Sequence, residues 1–389
     1  MQLAKERRPS GRILELDGLR GLAVLAVIAF HYTEGTHWAN PVTGLGWVGV
    51  DLFFVLSGFL ITGILVNSRG RPRYFSNFYA RRSLRIFPVY YLLLAVYVGA
   101  AWLGGGRQPW AYWAMHAAFL SATLEHFHYW AFAAPAFVYA GVTVLWSLSI
   151  EEQFYLLWAP IVRWLRPQAL WAFLGAAILG APILRYCLHT PGFTEYRFLP
   201  TRFDSLAWGA ALALVARNWE PSPSQGRRSL RALAWGAGGI LAAVLAATGG
   251  VRESRWFALT GYTALAALFT AAVGGAVIGA GSEAWACRGL RFHPLQHLGK
   301  ISYAVYLIHY PILTLVAGWV EPGLGSGSLG LAVRDLVSFG MAIGLATLSW
   351  KLLEAPAAGL KERWAPALGK HPELKARPVR IAELPAGAE

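Results

Sequence analysis

Long blocks of apolar residues run along this chain, separated by short polar stretches. A helix needs about 20 mostly apolar residues to cross a bilayer. Ten blocks approach that length: 14–32, 46–66, 86–104, 145–165, 169–188, 201–216, 232–248, 256–280, 300–319 and 331–353. The stretch 109–140 is aromatic and His-rich but broken by Gly, Pro and charge, and reads as an outer loop with short interfacial or re-entrant helices. The pattern predicts an all-α polytopic membrane protein, a bundle of about ten transmembrane helices.

Composition agrees. Of 389 residues 56% are hydrophobic and 14% charged, with a mean hydropathy of +0.44; soluble proteins carry about 25% charged residues. The 18 Trp and 16 Tyr suit lipid–water boundaries. A secretory signal peptide is not expected, because the first block has Asp17 and Arg20 early and no small-residue cleavage site after it. The net charge of +14 does not indicate nucleic-acid binding, since the basic residues lie between apolar runs and not on one soluble face.

Basic residues set the expected orientation. The N-terminal tail 1–12, the loops 67–85, 162–168 and 281–300, the segment 217–231 that holds the polar linker 217–228, and the C-terminal tail belong to one side, which holds 26 Lys and Arg against seven on the other. Both termini are therefore expected in the cytoplasm. The last ~30 residues lack apolar periodicity, so 356–389 reads as a flexible tail. Cys187 and Cys287 fall on opposite sides in this topology, too far apart for a disulfide.

Against this background the ionisable residues inside apolar blocks stand out. In "LDGLRGLAVLAVIAFHY", 16–32, Arg20 and His31 are eleven residues apart. That spacing turns a helix by roughly 1100° and advances it about 16 Å, which puts both side chains on one face at different depths. A charge at the centre of a spanning helix costs at least ~2.5 kcal/mol, so such groups face a cavity or a partner. A pairing of Arg20 with Asp17 or Asp51 is one reading, and a functional cavity is the other. In "GVDLFFVLSGFLIT", 49–62, Asp51 could orient Arg20 or cap the second helix, while Ser57 and Gly58 permit close helix approach.

In "YARRSLRIFPVYY", 79–91, Arg82 and Arg85 share a helix face beside Arg81. Guanidiniums bind phosphates bidentately, although basic residues at this place also serve topology. In "LWSLSIEEQFYLLW", 145–158, Ser149 and Glu152 have the spacing of a capping box that would open the fourth helix. Glu151 and Tyr155 then share another face, at the depth where His31 ends, and Glu151 could hold the His31 ring in one tautomer. Arg202 and Asp204 open the sixth helix, and His309 lies mid-membrane with Tyr303 and Tyr306. Histidines 116, 126 and 128 lack clean ligand spacing, and no metal is expected.

Taken in order, these blocks resemble the acyltransferase-3 family, the membrane-bound O-acyltransferases of bacterial glycans and some antibiotics. The resemblance runs from about residue 13 to 355 and includes Arg-x10-His, met by Arg20 and His31, with "RFDSLAWG" and "SYAVYLIHYP" among the later blocks. Many relatives add a C-terminal SGNH hydrolase-like domain; too few residues follow 355 here to form one, so a stand-alone form is expected. The resemblance implies a multi-pass protein of the bacterial inner membrane, with a cytoplasmic acyl-CoA donor, acetyl-CoA first among them. It implies a hydroxyl acceptor, commonly an envelope or exported glycan. Arg82 and Arg85 would hold the CoA phosphates, and Arg20 would polarise the thioester carbonyl or stabilise the oxyanion. His31, oriented by Glu151, would take the acceptor's proton. Two other readings remain: acylation of a small molecule such as a macrolide, and a transporter moving a small anion through the same polar cavity.

Overall fold

The computed structural model describes residues 13–106, 108–123, 135–189, 194–218, 222–249, 251 and 253–364. Its long helices are α1 (Leu14–Thr33), α2 (Gly49–Ser68) and α3 (Tyr74–Leu103). Two short helices follow, α4 (Trp110–Ala117) and α5 (Ala136–Thr143). Next come α6 (Leu145–Trp164), α7 (Pro167–Leu188), α8 (Leu199–Asn218) and α9 (Pro223–Ala247). The last are α10 (Tyr262–Ile278), α11 (Trp285–Leu290), α12 (His293–Leu324), α13 (Ser328–Ser349) and α14 (Ala355–Trp364). No strand occurs among the described residues. Among the described residues, seven helices are long and apolar enough to cross a membrane by length and composition. The three other 20-residue helices, α1, α6 and α8, carry the charged residues singled out above. The chain is an all-α multi-pass membrane protein.

Helix α1 lies inside the bundle, with Ala23, Val24 and Val27 buried. It packs closely on α12: a Cβ on Gly299 would stand 1.8 Å from the Asp17 carbonyl oxygen, so only glycine permits this crossing. Helices α2 and α8 meet in the same way. A Cβ on Gly58 would lie 2.0 Å from the Leu206 carbonyl, and one on Gly209 would lie 2.0 Å from the Val55 carbonyl. The close approach expected at Gly58 is therefore present, and it brings the start of α8 beside the start of α2. Exposed apolar residues such as Trp235, Leu179 and Leu336 lie on the outside of the bundle, where lipid satisfies them.

Several boundaries differ from the sequence pattern. The third helix begins at Tyr74 and not at 86. Its first turns are too polar to count as an apolar block, but they dock on α6: the Tyr74 hydroxyl donates to the Ala159 carbonyl at 3.0 Å and the Tyr79 hydroxyl to the Leu156 carbonyl at 3.0 Å. The basic segment 79–85 is thus helical and part of the bundle. The linker expected over 217–228 is shorter, because Ser222 caps α9 and Pro223 starts it. The tail expected from 356 begins as helix α14, and residues 365–389 lie outside the described residues. The interval 109–140 contains α4 and α5, while 124–134, with His126 and His128, lies outside the described residues.

Candidate active site

Helix α1 places Arg20 and His31 in two adjoining chambers. The first, of about 90 Å³, is lined by Arg20, Arg82, Arg85, Glu151, Ser57 and Tyr155, with Ser147, Tyr303 and Tyr306 among the rest. The second, of about 360 Å³, is lined by His31, Glu34 and Arg197 and by a wall of aromatic rings: Trp47, Tyr139, Trp146, Tyr196, Tyr262, Tyr306 and Tyr310. Val50 and Tyr306 line both chambers and so form the septum between them. The Tyr306 and Ser147 hydroxyls are 2.6 Å apart and hydrogen-bonded.

The first chamber brings together three guanidiniums and one carboxylate. Glu151 accepts hydrogen bonds from Ser57 at 2.7 Å and from its i+4 neighbour Tyr155 at 2.9 Å. The guanidinium of Arg82 sits 5.7 Å from the centre of the Tyr155 ring. Arg20 Nε is buried and has no hydrogen-bond partner. Arg81, expected beside Arg82 and Arg85, is not part of this lining.

His31 is held differently from the sequence expectation. Glu151 does not contact it, because six residues of α6 precede Glu151 and carry it down into the first chamber. The ring partner of His31 is His309, with Nε2 of His309 3.0 Å from Nδ1 of His31. Tyr310 stacks on His31 at 4.6 Å between ring centroids. The capping box is also absent. Helix α6 starts at Leu145, so Ser149 lies in its second turn and donates to the Phe119 carbonyl. Glu152 Oε1 is buried without a partner.

Asp51 neither caps α2 nor meets Arg20. It pairs with Arg202, both fully buried. Arg202 also lies over the rings of Tyr196 and Tyr262, 4.7 and 4.8 Å from their centroids. Asp204 takes a bidentate bond from Arg185 at 2.9 and 2.8 Å and a further bond from Thr263 at 2.6 Å. Arg202 and Asp204 thus frame the second chamber without lining it. Arg185, Arg202 and Arg334, three of the seven basic residues assigned to the opposite side of the membrane, are buried in the bundle. Arg185 was missed as a partner although it shares the signal that marked Arg20, a charge near the end of an apolar run. Ser147 and Tyr310 were missed too; only the packed bundle marks them, by setting Ser147 against Tyr306 and Tyr310 on His31.

No solved structure matches the chain. A 31% identical relative is the peptidoglycan O-acetyltransferase OatA of Listeria monocytogenes, aligned over 88% of this chain and 55% of the relative. The O-acetyltransferase OatA of Staphylococcus aureus is 26% identical over 88% of this chain and 56% of the relative. The chain spans about half the length of these curated relatives. The acyltransferase-3 family model, an acyltransferase domain, matches residues 13–351. The paired chambers along the Arg20–His31 face therefore sit within a recognised family domain, and the chain belongs to the acyltransferase-3 family.

Proposed function

We propose that the protein moves an acyl group, acetyl first, from acyl-CoA to a hydroxyl of a cell-envelope glycan. The observation that carries this reading is the pair of chambers meeting at Tyr306 and Val50, one rich in guanidinium and the other in aromatic rings around a histidine. The first chamber is well below the roughly 300 Å³ of a pocket for a drug-sized ligand. It suits the thioester arm of the donor, with the CoA phosphates outside it against Arg82 and Arg85 on the cytoplasmic side. Arg20, with Nε unpartnered, meets that arm. The second chamber suits a sugar ring, whose apolar face stacks on aromatic rings while its hydroxyls reach polar tips.

In this scheme the acceptor hydroxyl loses its proton to His31 as its oxygen attacks the thioester carbonyl. The tetrahedral intermediate collapses with cleavage of the C–S bond. The proton passes to the CoA thiolate, leaving an ester and free CoA. Peptidoglycan, named for the Listeria relative, is the first acceptor to test.

The test is CoA release by the purified protein supplied with acetyl-CoA and candidate glycans. Release that depends on the acceptor, and that His31→Ala abolishes while acetyl-CoA still binds, is the expected result. Transfer at the wild-type rate in His31→Ala removes the base assignment, and solute flux without CoA release points to a transporter.

A further inference from the structure

We infer that His309, which touches neither chamber, is a positioning residue that selects the tautomer of His31; this rests on the general-base reading above. The argument starts from carbonyl oxygens, which only accept hydrogen bonds. His309 Nδ1 lies 2.7 Å from the Tyr306 carbonyl oxygen and 3.3 Å from that of Val305. It must therefore carry the proton. In the neutral ring Nε2 of His309 is then an acceptor, and it faces Nδ1 of His31 at 3.0 Å. His31 Nδ1 also lies 3.1 Å from the Val27 carbonyl oxygen. Two acceptors converge on that one nitrogen, so His31 holds its proton on Nδ1.

The consequence is that Nε2 of His31 keeps its lone pair for the chamber that His31 lines. A ring with the opposite tautomer would present N–H to the acceptor hydroxyl and could not take its proton. The Val27 carbonyl offers one such contact, at 3.1 Å, and His309 adds a second, at 3.0 Å, from another helix. His309 is fully buried, and its own Nδ1–H is tied to its helix one turn back, so its acceptor nitrogen is held in one direction. When His31 becomes imidazolium, the same contact continues to accept from Nδ1–H.

The test compares three variants, His309→Gln, His309→Asn and His309→Leu. The Gln side-chain oxygen reaches the place of Nε2 and can accept from His31. Asn reaches only the place of Nδ1 and leaves His31 without that acceptor. We expect His309→Gln within about tenfold of wild-type kcat, and His309→Asn and His309→Leu reduced about a hundredfold or more, within the range of a general-base contribution. KM for acetyl-CoA and for the glycan should stay within about threefold in all three, because His309 lines neither chamber. Should His309→Leu fail to fold, the Gln and Asn pair decides. Equal activity of Gln and Asn, or an active Leu variant, overturns the tautomer role. His31→Ala is measured alongside: an active His31→Ala defeats the general-base reading itself, whereas a dead His31→Ala with an active His309→Asn defeats only this inference.

Discussion

The septum between the chambers is closed in part by one hydrogen bond, which can be removed with little change of shape. Tyr306→Phe deletes the hydroxyl that meets Ser147 at 2.6 Å and keeps the ring that lines both chambers. It also keeps the main-chain carbonyl that receives His309. A typical hydrogen bond contributes about 0.5–1.5 kcal/mol net, so losing it should raise the population of an open septum about 2- to 12-fold. An open septum lets water from the glycan side reach the thioester. The expected outcome is a rise of that size in the ratio of acceptor-independent to acceptor-dependent CoA release. The assay is chromatographic measurement of CoA and of acylated glycan from the same reaction, with and without acceptor. If Tyr306 instead serves as a donor to the developing oxyanion, hydrolysis and transfer fall together and the ratio stays fixed. A fixed ratio therefore refutes the latch.

Four further outcomes rest on the same geometry. Arg82→Ala with Arg85→Ala should weaken CoA binding at least about tenfold, since each charge-assisted contact is worth about 1.5–3 kcal/mol; an unchanged dissociation constant by calorimetry returns both residues to topology. Glu151→Gln should reduce turnover at least about a hundredfold, because it removes the one carboxylate lining a chamber of three guanidiniums. Glu152→Gln, outside that lining, should keep turnover near wild type at matched membrane expression, and the reverse pattern would exchange their roles. Asp51→Ala should lower stability by about 3–5 kcal/mol by leaving Arg202 buried and unpaired. Labelling of buried Cys287 during heating reports this loss, and an unshifted unfolding temperature argues against a stabilising pair.

The chain pattern alone was enough for the all-α membrane class and for one face of α1. A spanning helix must be apolar over about 20 residues, and that is a local property. The i,i+11 relation of Arg20 and His31 is also local, since helix rotation follows from the backbone. The start of α3 was hidden because its first turns place arginines toward the first chamber while aromatic residues dock on α6, so no uninterrupted apolar block marks them. The spacing Ser149-x-x-Glu152 misled for a related reason: residues at i,i+3 meet in a helix interior as readily as at its start, and only the preceding segment shows that α6 begins four residues earlier. The partners were beyond any local pattern. Asp51 finds Arg202, Glu151 finds Ser57 and His31 finds His309, at sequence separations of 151, 94 and 278 residues. Each depends on how helices rotate about their axes when they pack, and that rotation is settled by close crossings such as Gly58 on Leu206 and Gly299 on Asp17. Local sequence determines which side of a helix is polar; the packed bundle alone determines what that side meets, because the meeting depends on the summed shape of every helix around it.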